Sequence, residues 1–261
     1  MDDILVTRDG PVTWVTLNRP ATLNALTPAM HRSLEQAFDA FAADDAQQVC
    51  VLTGAGERAF CAGSDIKAAA AEGGLTGTYP AHGYAGLAER FDCPKPFIAA
   101  VNGLALGGGF EVALACDLIL ATQQATFGLP EPLIGAVALG GGLHRLARQL
   151  PLKQAMGLIL TSRRLSAEAA LQLGLVNEVV PSAADLPGAV ARWCADILKG
   201  APPAIRASKA TTMRGLDEPD LAAALAGQAD YPEFRAWSAS EDLAEGLTAF
   251  AGKRSPAWKG R

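Results

Sequence analysis

Aromatic residues are scarce in this chain: Phe, Trp and Tyr together make up 6% of 261 residues, so no bulky aromatic core fills it. Small residues take their place, with 27 glycines and abundant alanine, a mix suited to backbones that approach closely. Basic residues are outnumbered, 22 Lys and Arg against 27 Asp and Glu, for a net charge of −5. That balance argues against a nucleic-acid partner, which calls for a basic surface excess, yet it leaves room for a local basic patch and an anionic small ligand. No uncharged apolar run reaches membrane-spanning length. The start, Met1-Asp2-Asp3, leads into a short strand pattern and lacks the basic-then-apolar order of a signal peptide. The five cysteines (Cys50, Cys61, Cys93, Cys116, Cys194) are odd in number and widely spaced, without CxxC or Cys/His ligand spacing. Reduced, mostly buried thiols follow. A soluble cytoplasmic protein with no membrane partner and no metal is expected.

Half of the residues are hydrophobic and only 19% are charged, which excludes a disordered chain and supplies a substantial core. Ile4–Thr7 and Val12–Leu17 flank Asp9-Gly10-Pro11 and predict a hairpin. Met30, Leu34, Ala37, Phe38 and Phe41 have helical spacing over 28–43, with Thr27 as N-cap and Pro28 at the first position. Val49–Thr53, Phe97–Val101 and Leu118–Ala121 predict strands, with helices over Ile66–Ala71 and from Gly107 to about Cys116. Such alternation favours an α/β layer with mostly parallel pairing. From about Gly140 helices take over, including 152–161, 167–173, 186–198 and 241–251, interrupted by one strand at 176–180. The glycine-rich stretch 72–80 reads as a mobile loop. No repeat of fixed period occurs.

Three motifs carry chemistry. In Gly107-Gly108-Gly109-Phe110-Glu111, glycines at a helix start let a ligand approach, and the free N–H groups of the first turn can accept an anion. Tight packing around a solvated Glu111 is the plain alternative. In Phe60-Cys61-Ala62-Gly63-Ser64-Asp65-Ile66-Lys67, the Ser64 amide is a candidate second donor for an oxyanion hole. Ser64 lacks a nucleophile elbow and a paired histidine, and Asp65 has an equal claim as a helix N-cap. Phe127-Gly128-Leu129-Pro130-Glu131 places a second carboxylate in a first helical turn, where the dipole alone would favour it. Two carboxylates brought together can divide acid and base duties. The glycine-rich helix entry Leu139–Leu146 suits an anion or tight packing. Gly54–Ala59 formally matches G-x-G-x-x-A, but no helix is due there and no acidic residue ends a second strand, which argues against a nicotinamide site. His31, His82 and His144 are scattered, without metal-ligand pairing. Lys253, Arg254, Lys259 and Arg261 make the C-terminus basic, either as a solvated tail or as a phosphate contact.

In order and spacing these motifs resemble the enoyl-CoA hydratase/isomerase (crotonase) superfamily, from Leu17-Asn18-Arg19-Pro20 and Leu23-Asn24-Ala25-Leu26 to Ala249-Phe250-Ala251-Gly252-Lys253-Arg254. The resemblance implies a crotonase-like α/β core of repeated ββα units over residues 1–195 and a helical C-terminal trimerisation region over 196–261. It implies an acyl-CoA substrate, no separate cofactor, and a homotrimer or dimer of trimers. The thioester oxygen would lie between the Ser64 and Gly108 N–H groups. Glu131 would exchange the proton at Cα and Glu111 would activate the water added at Cβ. Ala25, Ala62, Asp65, Ile66, Leu104 and Gly107 would contact CoA or acyl chain, with Phe250 and Lys253 reaching CoA from the C-terminal region. Members that hydrate carry both glutamates, as this chain does. Where many hydratases of fatty-acid oxidation have a Pro-Gly-Ala-Gly-Gly-Thr-type run, this chain has Val137–Arg145. The Gly-Gly-Gly-Phe-Glu core, Tyr84-Ala85-Gly86-Leu87 and Ser255–Arg261 are similar to carnitinyl-CoA dehydratases. A Δ3,Δ2-enoyl-CoA isomerase is the nearest competing activity.

Overall fold

A computed structural model describes residues 2–71 and 79–261. Most of the loop expected at 72–80 lies outside the described residues. The chain opens with the hairpin β1 (Ile4–Asp9) and β2 (Val12–Leu17), in register from Ile4 against Leu17 to Asp9 against Val12. Helix α1 (Pro28–Ala43) follows, and its bounds are those the spacing predicts. The Thr27 side chain accepts from the Met30 N–H, satisfying one orphan donor of the first turn, while Pro28 has no N–H to satisfy. Met30, Leu34, Phe38 and Phe41 form the buried stripe of α1.

The next three stretches repeat one plan. Each sends a strand into a six-stranded sheet and a second, three-residue strand into a four-stranded sheet, and then forms a helix or helical turn. They are β3 (Val49–Gly54), β4 (Ala59–Cys61) and α2 (Ile66–Ala71); then β5 (Phe97–Val101), β6 (Leu104–Leu106) and α3 (Gly108–Ala115); then β7 (Leu118–Thr122), β8 (Thr126–Gly128) and a single 3-10 turn, Glu131–Ile134. Helices α4 (Gly142–Gln149) and α5 (Leu152–Thr161) come next, followed by β9 (Leu165–Ser166), α6 (Ala167–Gln172) and β10 (Glu178–Val180).

The larger sheet runs β1-β2-β3-β5-β7-β10 and is parallel throughout except for β1; the smaller runs β4-β6-β8-β9 and is parallel except for β9. Strand β5, in the middle of the larger sheet, is covered on both faces and reads as an unbroken apolar run, all of it buried. Strand β9 is not signalled by the sequence, which shows only a single strand in this half. Two residues carry no alternation, and Ser166 serves also as the N-cap of α6.

The chain divides into two compact units, Met1–Phe91 with Phe97–Ala191, and Asp92–Pro96 with Arg192–Arg261; the division falls inside α7 (Leu186–Leu198). The second unit holds α8 (Pro202–Gly215), α9 (Leu221–Gly227), α10 (Pro232–Ser238) and α11 (Glu241–Ala251). Its C-terminal tail is exposed but pinned. Buried Asp242 accepts the Lys259 and Gly260 N–H groups at 2.7 and 2.8 Å, and Arg206 donates to the Gly260 carbonyl at 2.8 Å. Arg254 pairs with Glu245, and Lys259 and Arg261 both pair with Glu241. Three of the four tail cations are thus matched internally. No helix among the described residues is long and apolar enough to cross a membrane.

Candidate active site

Strand β6 ends at Leu106, and Gly107, at φ +55°, turns the chain into α3. Three residues into that helix, the Glu111 side chain lies in its buried first turn. Its carboxylate accepts the Gly142 N–H at 2.8 Å. Gly140 and Gly142 leave the room it occupies: a Cβ at Gly140 would sit 2.8 Å from Oε2, and one at Gly142 would sit 2.8 Å from Cγ. The anion held by this glycine-rich helix entry is therefore the chain's own Glu111. Burial pushes the Glu111 carboxyl up to about 7. The Gly142 amide opposes that rise, the charge of Glu131 adds to it, and the Gly140 amide and Arg145 oppose it.

Glu131 arrives from β8. Leu106 pairs with Gly128, and the Gly107 N–H donates to the Gly128 carbonyl at 2.8 Å, so the start of α3 and the end of β8 are clamped together. Pro130 and Pro132 then confine the chain to one 3-10 turn, ended by Gly135 in the left-handed region. The helix expected at Glu131 is thus only that turn. Glu131 Oε1 would stand 2.8 Å from a Cβ on Gly107, and Oε2 is buried with no hydrogen-bond partner among the described residues. Burial raises its pKa, and its own backbone amide opposes the rise. The fold thus brings the two carboxylates to the same helix entry.

Gly63, at φ +93°, packs its Cα against the same entry; a Cβ there would lie 3.1 Å from the Gly108 nitrogen. The turn is held by the Gly63 N–H on Cys61 Sγ at 3.3 Å and by a bridge between Leu26 and Ser64. In that bridge Leu26 N–H donates to the Gly63 carbonyl and Asp65 N–H to the Leu26 carbonyl, both at 2.8 Å, which directs the Ser64 N–H away from Leu26. Neither the Ser64 nor the Gly108 N–H has an acceptor among the described residues. Two open amides beside a buried and a half-buried carboxylate can polarise a carbonyl oxygen while a proton moves nearby.

The other expected contact residues separate into three places. Ala25, Ala62, Asp65 and Ile66 share one rim: Arg19 Nη1 donates to the Ala25 carbonyl at 2.7 Å and to Asp65 Oδ2 at 3.0 Å, and the Ala62 N–H donates to the Leu23 carbonyl. Asp65 Oδ1 also accepts the Ala68 N–H at 3.2 Å, so both its oxygens are engaged in holding the rim and α2. Asn24, fully buried at φ +56°, ties this loop to the Ala55 and Ala59 carbonyls. Leu104 opens β6, and Gly107 follows its end, beside Glu131. Phe250 (88% exposed) and Lys253 belong to the second unit. Gly54–Ala59 leads directly into β4, without the helix a dinucleotide loop requires. Its glycine serves packing instead, since a Cβ at Gly54 would come within 2.5 Å of the Ala59 and Phe60 carbonyls.

Three sets of contacts are not signalled by the sequence. Tyr84, 4% exposed, hydrogen-bonds Ser64 Oγ through its hydroxyl at 2.9 Å. Arg145 donates to the Ala88 carbonyl at 2.7 Å and bears on Glu111. His82, isolated in sequence, lies 2.7 Å from Glu35 and 3.9 Å from Asp39, and one atom from each of the three falls within 4.8 Å of the others. The Arg90 guanidinium already meets Asp39 at 2.8 Å, supplying positive charge in that cluster. The segment Tyr84-Ala85-Gly86-Leu87 stands out in the sequence through its family similarity, but nothing in it points to Ser64 as the partner of Tyr84.

The family profile "Enoyl-CoA hydratase/isomerase" matches residues 7–261. A carnitinyl-CoA dehydratase of Salmonella enteritidis is 40% identical over 264 residues, spanning 100% of this chain and 99% of its own, and one of Proteus mirabilis is 41% identical over 260 residues, 98% of each. A solved enoyl-CoA hydratase from Mycobacterium marinum superposes with a TM-score of 0.91 at 39% identity, covering 99% of both chains. The chain belongs to the enoyl-CoA hydratase/isomerase family and has the crotonase fold. That family acts on acyl-CoA substrates.

Proposed function

We propose that the protein catalyses the reversible syn hydration of a 2-enoyl-CoA thioester to the 3-hydroxyacyl-CoA. One observation carries this reading: a buried carboxylate, Glu111, and a half-buried one, Glu131, both with raised pKa values, stand at a helix entry that also presents open amides. In the forward direction Glu111 takes a proton from water as its oxygen bonds to Cβ. The alkene electrons move onto the thioester oxygen, held by the Ser64 and Gly108 N–H groups, and Glu131 then delivers its proton to Cα. One proton leaves Glu131 and one arrives on Glu111, so the pair holds a single proton before and after. A like-charged pair in a buried site favours that shared state. Asp65, Ile66, Ala25 and Ala62 form the rim that receives CoA, and Leu104 and Gly107 meet the acyl end.

The whole-chain identity to carnitinyl-CoA dehydratases supports a second reading, the same proton transfers run toward dehydration of a betaine-bearing acyl-CoA. An isomerase needs one shuttling carboxylate, so the presence of a second glutamate at the same helix entry weighs against it. Purified protein should be assayed on crotonyl-CoA, branched 2-enoyl-CoAs and carnitinyl-CoA by the absorbance of the conjugated thioester. Product analysis from a 3-enoyl-CoA covers isomerisation. Inactivity on every hydratable substrate defeats the proposal.

The chain further assembles, on this reading, as a trimer or a dimer of trimers. The exposed Leu216, Leu221, Leu225, Leu247 and Phe250 of the second unit support burial in such an assembly, with Phe250 and Lys253 offered to a neighbour's CoA. Light scattering at micromolar concentration tests it, and a monomeric mass rejects it.

A further inference from the structure

The two amide donors of the site come from different elements: Ser64 from the turn after β4, Gly108 from the first residue of α3. Their spacing is not set by one helix or one strand. Tyr84 touches both. Its hydroxyl bonds Ser64 Oγ at 2.9 Å, and it lies so close over Gly108 that a Cβ on that residue would be 2.1 Å from the phenolic oxygen.

Tyr84 is in turn fixed to α1. Its ring meets His31 edge-on at 4.6 Å and Tyr79 at 5.3 Å, and the Ala85 N–H donates to His31 Nδ1 at 2.9 Å. That bond puts the ring proton of neutral His31 on Nε2. The backbone around the tyrosine is held in the left-handed region at Gly83, Ala85 and Gly86 (φ +72°, +57° and +62°), a conformation a non-glycine residue keeps only where its surroundings impose it. Arg90, from the same segment, donates to the Gly86 carbonyl at 2.8 Å and pairs with Asp39 of α1. A rigid ring thus runs from α1 to the point where the turn and α3 meet.

We propose that Tyr84 is a positioning residue of the oxyanion site, its hydroxyl bracing Ser64 against Gly108 so that both amides reach one thioester oxygen. This rests on the reading of Ser64 and Gly108 as oxyanion donors. The Tyr84–Ser64 couple acts as one unit: losing either hydroxyl releases the same brace, and losing both releases nothing more.

Tyr84→Phe keeps the ring and removes the bond; Ser64→Ala keeps the N–H and removes the same bond from the other side. Each single variant should lower kcat on the turned-over enoyl-CoA by about 10-fold, comparable with one neutral hydrogen bond, with KM within about twofold, because only transition-state stabilisation is weakened. The double variant should fall no further than the weaker single. A second readout is independent of turnover: the ¹³C shift of the labelled thioester carbonyl of bound butyryl-CoA should move downfield in the unsubstituted protein and less in each variant. Unchanged kcat together with an unchanged carbonyl shift overturns the brace, and so do multiplying effects in the double variant. An unsubstituted protein that polarises the carbonyl yet hydrates no substrate refutes the hydratase reading alone, and the carbonyl comparison still decides the brace. Should Tyr84→Phe fail to fold, Ser64→Ala tests the same bond by both readouts.

Discussion

Glu111 takes the Gly142 N–H 31 residues along the chain, across a space kept clear by Gly140 and Gly142 themselves. The bond ties the first turn of α3 to the first turn of α4 and gives one carboxylate oxygen a fixed direction. Glu131 has no such tether on Oε2. The first carboxylate is oriented and the second is open, a difference that matches the proposed division between water activation and proton delivery.

Replacing either carboxylate by its amide tests that division. Glu131→Gln and Glu111→Gln should each reduce kcat by roughly 10²–10⁴-fold with little change in KM, the range expected for loss of a general acid or base. A variant with near-normal kcat would remove that residue from the mechanism.

The charges are coupled. Removing the Glu131 charge removes an influence that raises Glu111, so in Glu131→Gln the Glu111 carboxyl should titrate below its starting value of about 7. Carboxyl ¹³C NMR of glutamate-labelled protein measures the midpoint directly. An unmoved midpoint would mean the two groups do not sense each other.

Burying Glu111 also links stability to pH. Its folded pKa of about 7 lies above the ordinary 4.5, so the folded state holds the proton more tightly than the unfolded one. The stability it contributes is present below about 4.5 and is lost as pH rises through 7. Glu111→Gln escapes that loss and should be more stable than the parent at pH 8, by on the order of 1–3 kcal/mol. The gap should close toward pH 4.5. Calorimetry at the two pH values decides it, and equal melting at pH 8 contradicts the assignment.

Two glycines separate folding from catalysis. A Cβ at Gly109 would lie 2.1 Å from the Cys61 carbonyl, a backbone atom that cannot yield, so Gly109→Ala should destabilise by about 3 kcal/mol or more. A Cβ at Gly140 meets the movable end of Glu111 instead, so Gly140→Ala should fold and lose about 10-fold or more in kcat. Thermal melts beside kinetics separate the two, and the reverse pattern would contradict both contacts.

The elements most legible in sequence are those with a local cause. The bounds of α1 follow from Thr27, Pro28 and five spaced apolar residues, and β5 from an unbroken apolar run. The two glutamates stood out because each follows a glycine-containing motif. What joins them was not legible: the Leu106–Gly128 register, the Gly142 bond to Glu111 and the Tyr84 bond to Ser64 all link residues 20 or more apart. The same holds for His82 and Glu35, 47 residues apart. No periodicity encodes which strand lies next to which, and β9 is too short to show any.

Gly107, Gly140 and Gly142 shape their surroundings by what they omit, and the carboxylates fill the voids. Descendants of this chain therefore have unequal freedom to change their chemistry. Enlarging any of the three glycines pushes on a carboxylate, whereas shrinking Glu111 or Glu131 only opens space. New activities on this scaffold are more accessible by deleting an acid and recruiting the vacated volume for a substrate group than by crowding the frame.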